Sequence, residues 1–140
     1  MTARSARPLP EITPSNEHFW RGGKSGKLMF LRCKGCNTYV HPPAPVCPRC
    51  MGHDLAPEAV SGNAVVVAST VNHKAWVSGD DVPYALALVE MVEQTGLRLT
   101  TNVVGCPPDK VTIGLPVRVR FEQQDDVWIP LFEPASEPKA

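Results

Sequence analysis

The rhythm of apolar and polar positions changes near residue 57. Beyond that point β-branched residues dominate, and apolar stretches recur between short turn signals. Residues 64–75 hold Val65, Val66, Val67 and Val71, and 84–92 form a nearly continuous apolar run that reads as a buried strand. Residues 97–103 partly alternate. Val117, Val119 and Phe121 alternate strictly with Arg118, Arg120 and Glu122, the period-two mark of a strand with one buried face. Residues 127–132 supply a final strand. The gaps hold Gly79-Asp80-Asp81, Thr95-Gly96, Pro107-Pro108-Asp109 and Gln124-Asp125-Asp126. Five strands so bounded, the first long enough to bend, predict a small Greek-key barrel of the OB type, with a sandwich as the alternative. The slot between strands three and four, where such barrels often carry a helix, has room here only for a turn.

Before residue 57 the apolar pieces are short. Thr13-Pro14 predicts a helix start with a hydroxyl cap, Glu17 favours its first turn, and Gly22-Gly23 should end it, giving a helix over about 14–21. Phe19 and Trp20 are adjacent, so they cannot share one narrow face. One should pack on the neighbouring strands and the other on a second surface, where it could meet a ligand or partner. Residues 28–31 lead into a cysteine pair as a strand, and Tyr39-Val40 leads away from it.

Composition sharpens this mainly β picture. The 140 residues contain 15 prolines against ten glycines, which argues against a long-helix bundle. Lys+Arg and Asp+Glu are 14 each, so the chain is formally neutral overall. The halves differ: residues 1–57 hold eight basic and three acidic residues (+5), and 58–140 hold six and eleven (−5). A neutral chain with an acidic barrel is a poor candidate for a protein held on nucleic acid by phosphate contacts. No apolar run approaches the roughly 20 residues that span a bilayer. The N-terminus lacks the apolar stretch of a secretory signal. A cytoplasmic location is expected.

The cysteines carry the strongest chemical signal. Cys33-x2-Cys36 and Cys47-x2-Cys50 form two tight turns, each able to aim two sulfurs at one point. Together they make a closed S4 shell suited to structural Zn2+, or to Fe, and leave no position for water or substrate. A disulfide pair would require an oxidising compartment, and a redox motif would require a strand–helix junction rather than two knuckles. His41 and His53 are not needed as ligands. Lys34 and Arg49, inside the knuckles, offset thiolate charge. Cys106 reads as a small buried apolar residue.

The catalytic inventory is thin. There is no nucleophile triad with recognisable local motifs, no phosphate-binding glycine loop and no H-E-x-x-H. His73 and the Asp80-Asp81 pair read as structural and loop residues.

The ordered set Phe19-Trp20, Gly26-Lys27-Leu28, Cys33-x2-Cys36, Pro42-Pro43, Cys47-Pro48-x-Cys50, Pro83-Tyr84-Ala85, Ile113-Gly114-x-Pro116-Val117 and Leu131-Phe132-Glu133-Pro134 resembles the DUF35 family. The resemblance covers residues 13–135. Two positions depart from it: Ala44 stands where the family commonly has Arg, and Asn37 where it often has Gly. The resemblance implies a rubredoxin-like zinc ribbon joined to an OB-fold and preceded by helices. It divides the chain into a flexible tail (1–12), helix and zinc ribbon (13–57), OB-fold (58–135) and a second tail (136–140).

It also implies a non-catalytic accessory subunit of an acyl-CoA-processing complex. The partner would be a thiolase-superfamily, lipid-transfer-protein-like enzyme, as in a steroid side-chain retro-aldol lyase, with a MaoC-like hydratase as a further partner. Lys24 and Lys27 are then candidates for CoA phosphates, and Phe19 and Trp20 for partner or ligand contact. Two alternatives stay open: a single-stranded nucleic-acid-binding OB module, and a stand-alone acyl-CoA-binding protein.

Overall fold

The computed structural model describes residues 7–76 and 81–135. Asp80, residues 1–6 of the first expected tail and the whole of the second, 136–140, lie outside the described residues.

A single-turn helix α1 (Glu17–Arg21) continues as a 3-10 turn (Gly22–Ser25). It leads into β1 (Leu28–Cys33), which pairs antiparallel with β2 (Tyr39–Val40) on one side and β3 (Leu55–Val60) on the other. Five more strands follow: β4 (Asn63–Asn72), β5 (Tyr84–Met91), β6 (Arg98–Val103), β7 (Pro116–Gln124) and β8 (Val127–Pro134). They close into a barrel in the order β4-β5-β6-β8-β7, the expected OB-fold. Strand β4 pairs with both β5 and β7 and carries an irregularity between Val66 and Ala68, so it bends as anticipated. A single parallel pairing, Val103 with Phe132, closes the barrel. Only a 3-10 turn (Pro108–Lys110) occupies the slot between β6 and β7.

Local differences from the sequence reading have physical causes. The helix begins at Glu17 rather than residue 14. Thr13 forms the preceding turn, but its hydroxyl does not cap. Instead the Asn16 carboxamide accepts from the Thr13 amide at 2.7 Å and donates to the Glu11 carbonyl at 3.0 Å. The α-helix ends at Gly22 as expected, and the chain then tightens into the 3-10 turn that the left-handed Gly26 closes. Arg7, in the segment read as a tail, is bonded to the barrel. The Arg7 amide donates to Gln124 Oε1, and its guanidinium donates to Glu122 (3.2 Å) and Asn102 (3.0 Å). Pro57, where the pattern changes, is paired within β3 opposite Leu31, so the last ribbon strand runs on past it before the barrel begins.

Ribbon and barrel share one core. Phe19, Leu28, Phe30 and Tyr39 belong to the same buried cluster as Val66, Val89, Val117 and Phe132. Gln94, on the β5–β6 turn, reinforces the join: its side chain accepts from the Tyr39 amide (2.8 Å) and donates to the Tyr39 carbonyl (3.0 Å).

The 3-10 turn seats on the barrel through Gly23. A Cβ there would lie 2.5 Å from Trp128 Cβ and 2.6 Å from the Phe121 ring. Gly23→Ala is therefore expected to overpack this seat and to cost about 1–3 kcal/mol, seen as a lower thermal midpoint. An unchanged midpoint would mean that the turn is free to lift away.

Candidate metal centre and neighbouring cleft

The two knuckles sit at the end of β1 and in the loop before β3. In the first, the Asn37 amide donates to the Cys33 carbonyl (2.8 Å) and the Cys33 amide to the Thr38 carbonyl (2.8 Å). In the second, the Met51 amide donates to the Cys47 carbonyl (2.9 Å) and the Cys47 amide to the Gly52 carbonyl (2.8 Å). The matching pattern folds each pair back on itself. It requires a left-handed residue after each second cysteine, Asn37 at φ 64° and Met51 at φ 66°. Asparagine accepts that conformation with little strain, which explains why Asn37 can replace glycine; Met51 is the costlier choice.

The four sulfurs of Cys33, Cys36, Cys47 and Cys50 lie within 4.8 Å of one another. Cys33 and Cys50 are 3.5 Å apart, and Cys36 and Cys47 are 3.7 Å apart. A tetrahedral ion with metal–sulfur bonds of about 2.3 Å needs sulfurs about 3.8 Å apart, so the donor set fits such an ion. Cys33 and Cys47 are buried, while Cys50 is exposed.

Crowding splits the thiols. Hydrogen bonding from Thr38, side chain and then backbone, lowers Cys36 to about 6. Cys50 is favoured as a thiolate by the Gly52 amide, yet the neighbouring sulfurs of Cys33, Cys36 and Cys47 push it up to about 12. Four thiolates cannot gather here without a cation to hold them.

Around the centre Val40, Leu31, Ala44 and Leu55 form a small apolar shell. Ala44 is thus packing where an Arg would carry charge. Lys34 does not simply balance the thiolates, because its ammonium lies 3.4 Å from Glu58, which also binds Arg32 at 2.7 Å. His41 stacks on Phe30 with centroids 4.5 Å apart and on Phe19 at 4.8 Å, away from any ligand role.

The remaining candidates separate. Phe19 is 5% exposed and packs on Phe30, so it belongs to the core and offers no face to a partner. Trp20, edge-on to Phe19 at 4.8 Å, faces the other way. Lys24 and Lys27 are exposed, and Lys27 lines a cleft of about 520 Å3 with His18 and Arg21. Arg21 is engaged by Glu17 and Asp126. His73 is exposed beyond the end of β4. Cys106 is half-buried rather than buried, and burial followed by nearby Asp109 raises its thiol.

Sequence reasoning missed a larger cleft, about 630 Å3, beside β5 and β6. Arg7, Trp20, Trp76, Tyr84, Asn102 and Ile129 line it, together with Cys106. Its walls come from widely separated segments, so no local spacing signals it.

Residues 20–56 match the family model for the ChsH2 rubredoxin-like zinc ribbon domain, and residues 57–122 match that for the ChsH2 C-terminal OB-fold domain. A chain of the solved Ltp2-ChsH2(DUF35) aldolase superposes with a TM-score of 0.81 at 36% identity, over 91% of this chain and all of that one. The chain belongs to the DUF35 family. Two curated relatives are longer. A probable enoyl-CoA hydratase alpha subunit of Thermomonospora curvata is 37% identical over 94% of this chain and 41% of its own. The 3-oxo-4,17-pregnadiene-20-carboxyl-CoA hydratase alpha subunit of Mycobacterium tuberculosis is 30% identical over 89% and 39% respectively. The chain thus spans about two-fifths of the length of these hydratase subunits. Among the described residues, no helix is long and apolar enough to cross a membrane.

Proposed function

We propose that this chain is a non-catalytic accessory subunit of an acyl-CoA-processing complex. It pairs with a thiolase-superfamily, lipid-transfer-protein-like enzyme that performs retro-aldol cleavage of a steroid side chain. The observation that carries this reading is the likeness to the ChsH2(DUF35) chain of an aldolase, which extends over that chain's entire length. The relative named for a pregnadiene carboxyl-CoA supports the steroid class of substrate.

The chain's own chemistry agrees. Its best-formed polar constellation is a closed four-cysteine site, which holds a fold together rather than turning over a substrate. The metal there is zinc, bound by Cys33, Cys36, Cys47 and Cys50, and it pins β1 to the loop before β3. In this reading Lys24 and Lys27, both exposed, are the residues that meet the CoA phosphates. A strand-face phosphate groove is disfavoured, because the barrel arginines are already paired: Arg98 with Glu90 at 2.9 Å, and Arg118 with Glu133 at 3.0 Å.

The test is a tagged pull-down from native extract with the retained proteins identified by mass. A thiolase-like partner in stoichiometric amount is the expected result, with retro-aldol activity on a steroid acyl-CoA only when both chains are present. Recovery of this chain alone would overturn the accessory reading.

A further inference from the structure

The cleft beside β5 and β6 has no part in the metal centre and does not include Lys24 or Lys27. Its volume, about 630 Å3, falls within the roughly 300–1,000 Å3 of small-molecule sites. Three aromatic residues line it: Trp20 from the helix, Trp76 beyond β4 and Tyr84 at the start of β5. Leu86 and Ile129 add aliphatic surface from β5 and β8. The segment Arg7–Pro10 supplies one wall, held by the Arg7 bonds to Glu122 and Asn102.

Two exposures point to a ligand. Trp76 is 68% exposed and Leu86 is 39% exposed, although both are large apolar side chains at one concavity; one face of the Trp76 ring carries the Lys74 ammonium at 4.5 Å, which leaves the other face and Leu86 uncovered. Leaving such surface in water is unfavourable unless something covers it. The polar groups here are few and mostly committed, and the one carboxylate in the lining, Asp81, has an interaction of its own and disfavours an anionic ligand. The Asn102 carboxamide accepts from Arg7 and donates to the Ala85 carbonyl, and the Trp76 indole donates to Asn72 at 2.9 Å. The Tyr84 hydroxyl has no hydrogen-bond partner among the described residues and can serve one oxygen of a ligand. With the Arg7 charge shared with Glu122, the site suits an uncharged apolar body rather than an anion.

We infer that this cleft binds the fused-ring body of a steroid, with the Tyr84 hydroxyl at a ring oxygen and Trp20, Trp76 and Leu86 against the hydrocarbon faces. The choice of a steroid over another rigid polycycle rests on the substrate class of the proposed function. The accessory subunit would then hold the rings of the acyl group, while CoA lies elsewhere.

The full chain is titrated with progesterone, a 3-oxo-4-ene steroid without CoA, and tryptophan emission is read. Saturable quenching with a dissociation constant of about 10 µM is expected for a ligand of this size. Leu86→Asp should weaken binding at least tenfold, and Tyr84→Phe several-fold, with thermal midpoints and metal content unchanged. Ile113→Asp, exposed and outside the cleft, should leave binding as it is. Palmitate serves as a flexible apolar competitor and should displace the steroid weakly.

The inference falls if no saturable quenching occurs up to the solubility limit, if palmitate binds as tightly, or if Ile113→Asp weakens binding as much as Leu86→Asp. Recovery of a thiolase-like partner by a chain that binds no steroid would remove this inference and leave the proposed function standing. Steroid binding by a chain that recovers no partner would do the reverse.

Discussion

Cys47→Ser is expected to strip the metal and unfold the ribbon. Cys47 is fully buried beneath the second knuckle, and its sulfur accepts from the Arg49 amide at 3.4 Å. Serine offers a harder, shorter donor and leaves a buried hydroxyl in place of a ligand. The ribbon has little to fall back on: β2 is two residues long, and the local apolar cluster holds only Cys33, Val40 and Cys47 as fully buried members. Structural zinc in such small units contributes on the order of 10 kcal/mol, more than a whole small domain commonly has to spare. The damage should also spread. Phe30 and Leu28 lie on β1 and belong to the core shared with the barrel, so loosening β1 removes apolar cover from Phe132 and Val89. Metal analysis should give one ion per wild-type chain and almost none in the variant. Amide exchange should show β1 and β3 losing protection first. A soluble, metal-free variant with β1 still protected would refute a structural role for the ion.

The parts of this molecule that could be read from sequence are those written in local spacing. The knuckles depend on a two-residue gap, and the sulfurs converge as that gap predicts. Strand β7 shows its period directly, with Val117 turned inward and Arg118 and Arg120 paired to Glu133 outside. Strand β3 could not be read in the same way. Its sequence, Leu-Ala-Pro-Glu-Ala-Val, has no regular alternation and contains a proline, which a sheet tolerates at its edge; the order β2-β1-β3 puts it there. The helix starts later than Thr13-Pro14 suggests because that pair belongs to a turn of its own, stabilised by Asn16 reaching backwards. The cleft was invisible for a different reason. Arg7, Trp20, Tyr84, Asn102 and Ile129 meet only after barrel closure, and each alone is an ordinary residue. Phe19 and Trp20 show both limits: sequence required them to part, but only the fold says that Phe19 takes the core and Trp20 the cleft.

Acid should destabilise the fold before the carboxylates are titrated, through the histidines that brace the helix against the ribbon. His41 lies against Phe19 and Phe30, and its Nδ1 is buried without a hydrogen-bond partner among the described residues. Burial, and then the nearby His18, lower its pKa to about 4; burial also lowers that of His18. The unfolded imidazole takes a proton near pH 6.5, whereas the folded one resists until about 4. Between those values the unfolded state binds more protons, so stability falls as pH falls. The contribution of His41 is intact above pH 6.5. Its loss should reach about 1 kcal/mol by pH 5.5 and at most about 3 kcal/mol below pH 4. Chemical denaturation at pH 7.5 and 5.5, with metal content followed in parallel, measures the difference. His41→Phe keeps a ring between Phe19 and Phe30 and removes the proton site, so it should flatten the loss without altering the metal. If the variant loses as much stability as the wild type between those two pH values while both retain the ion, the sensitivity lies elsewhere, and folded His41 takes up its proton as readily as the unfolded imidazole.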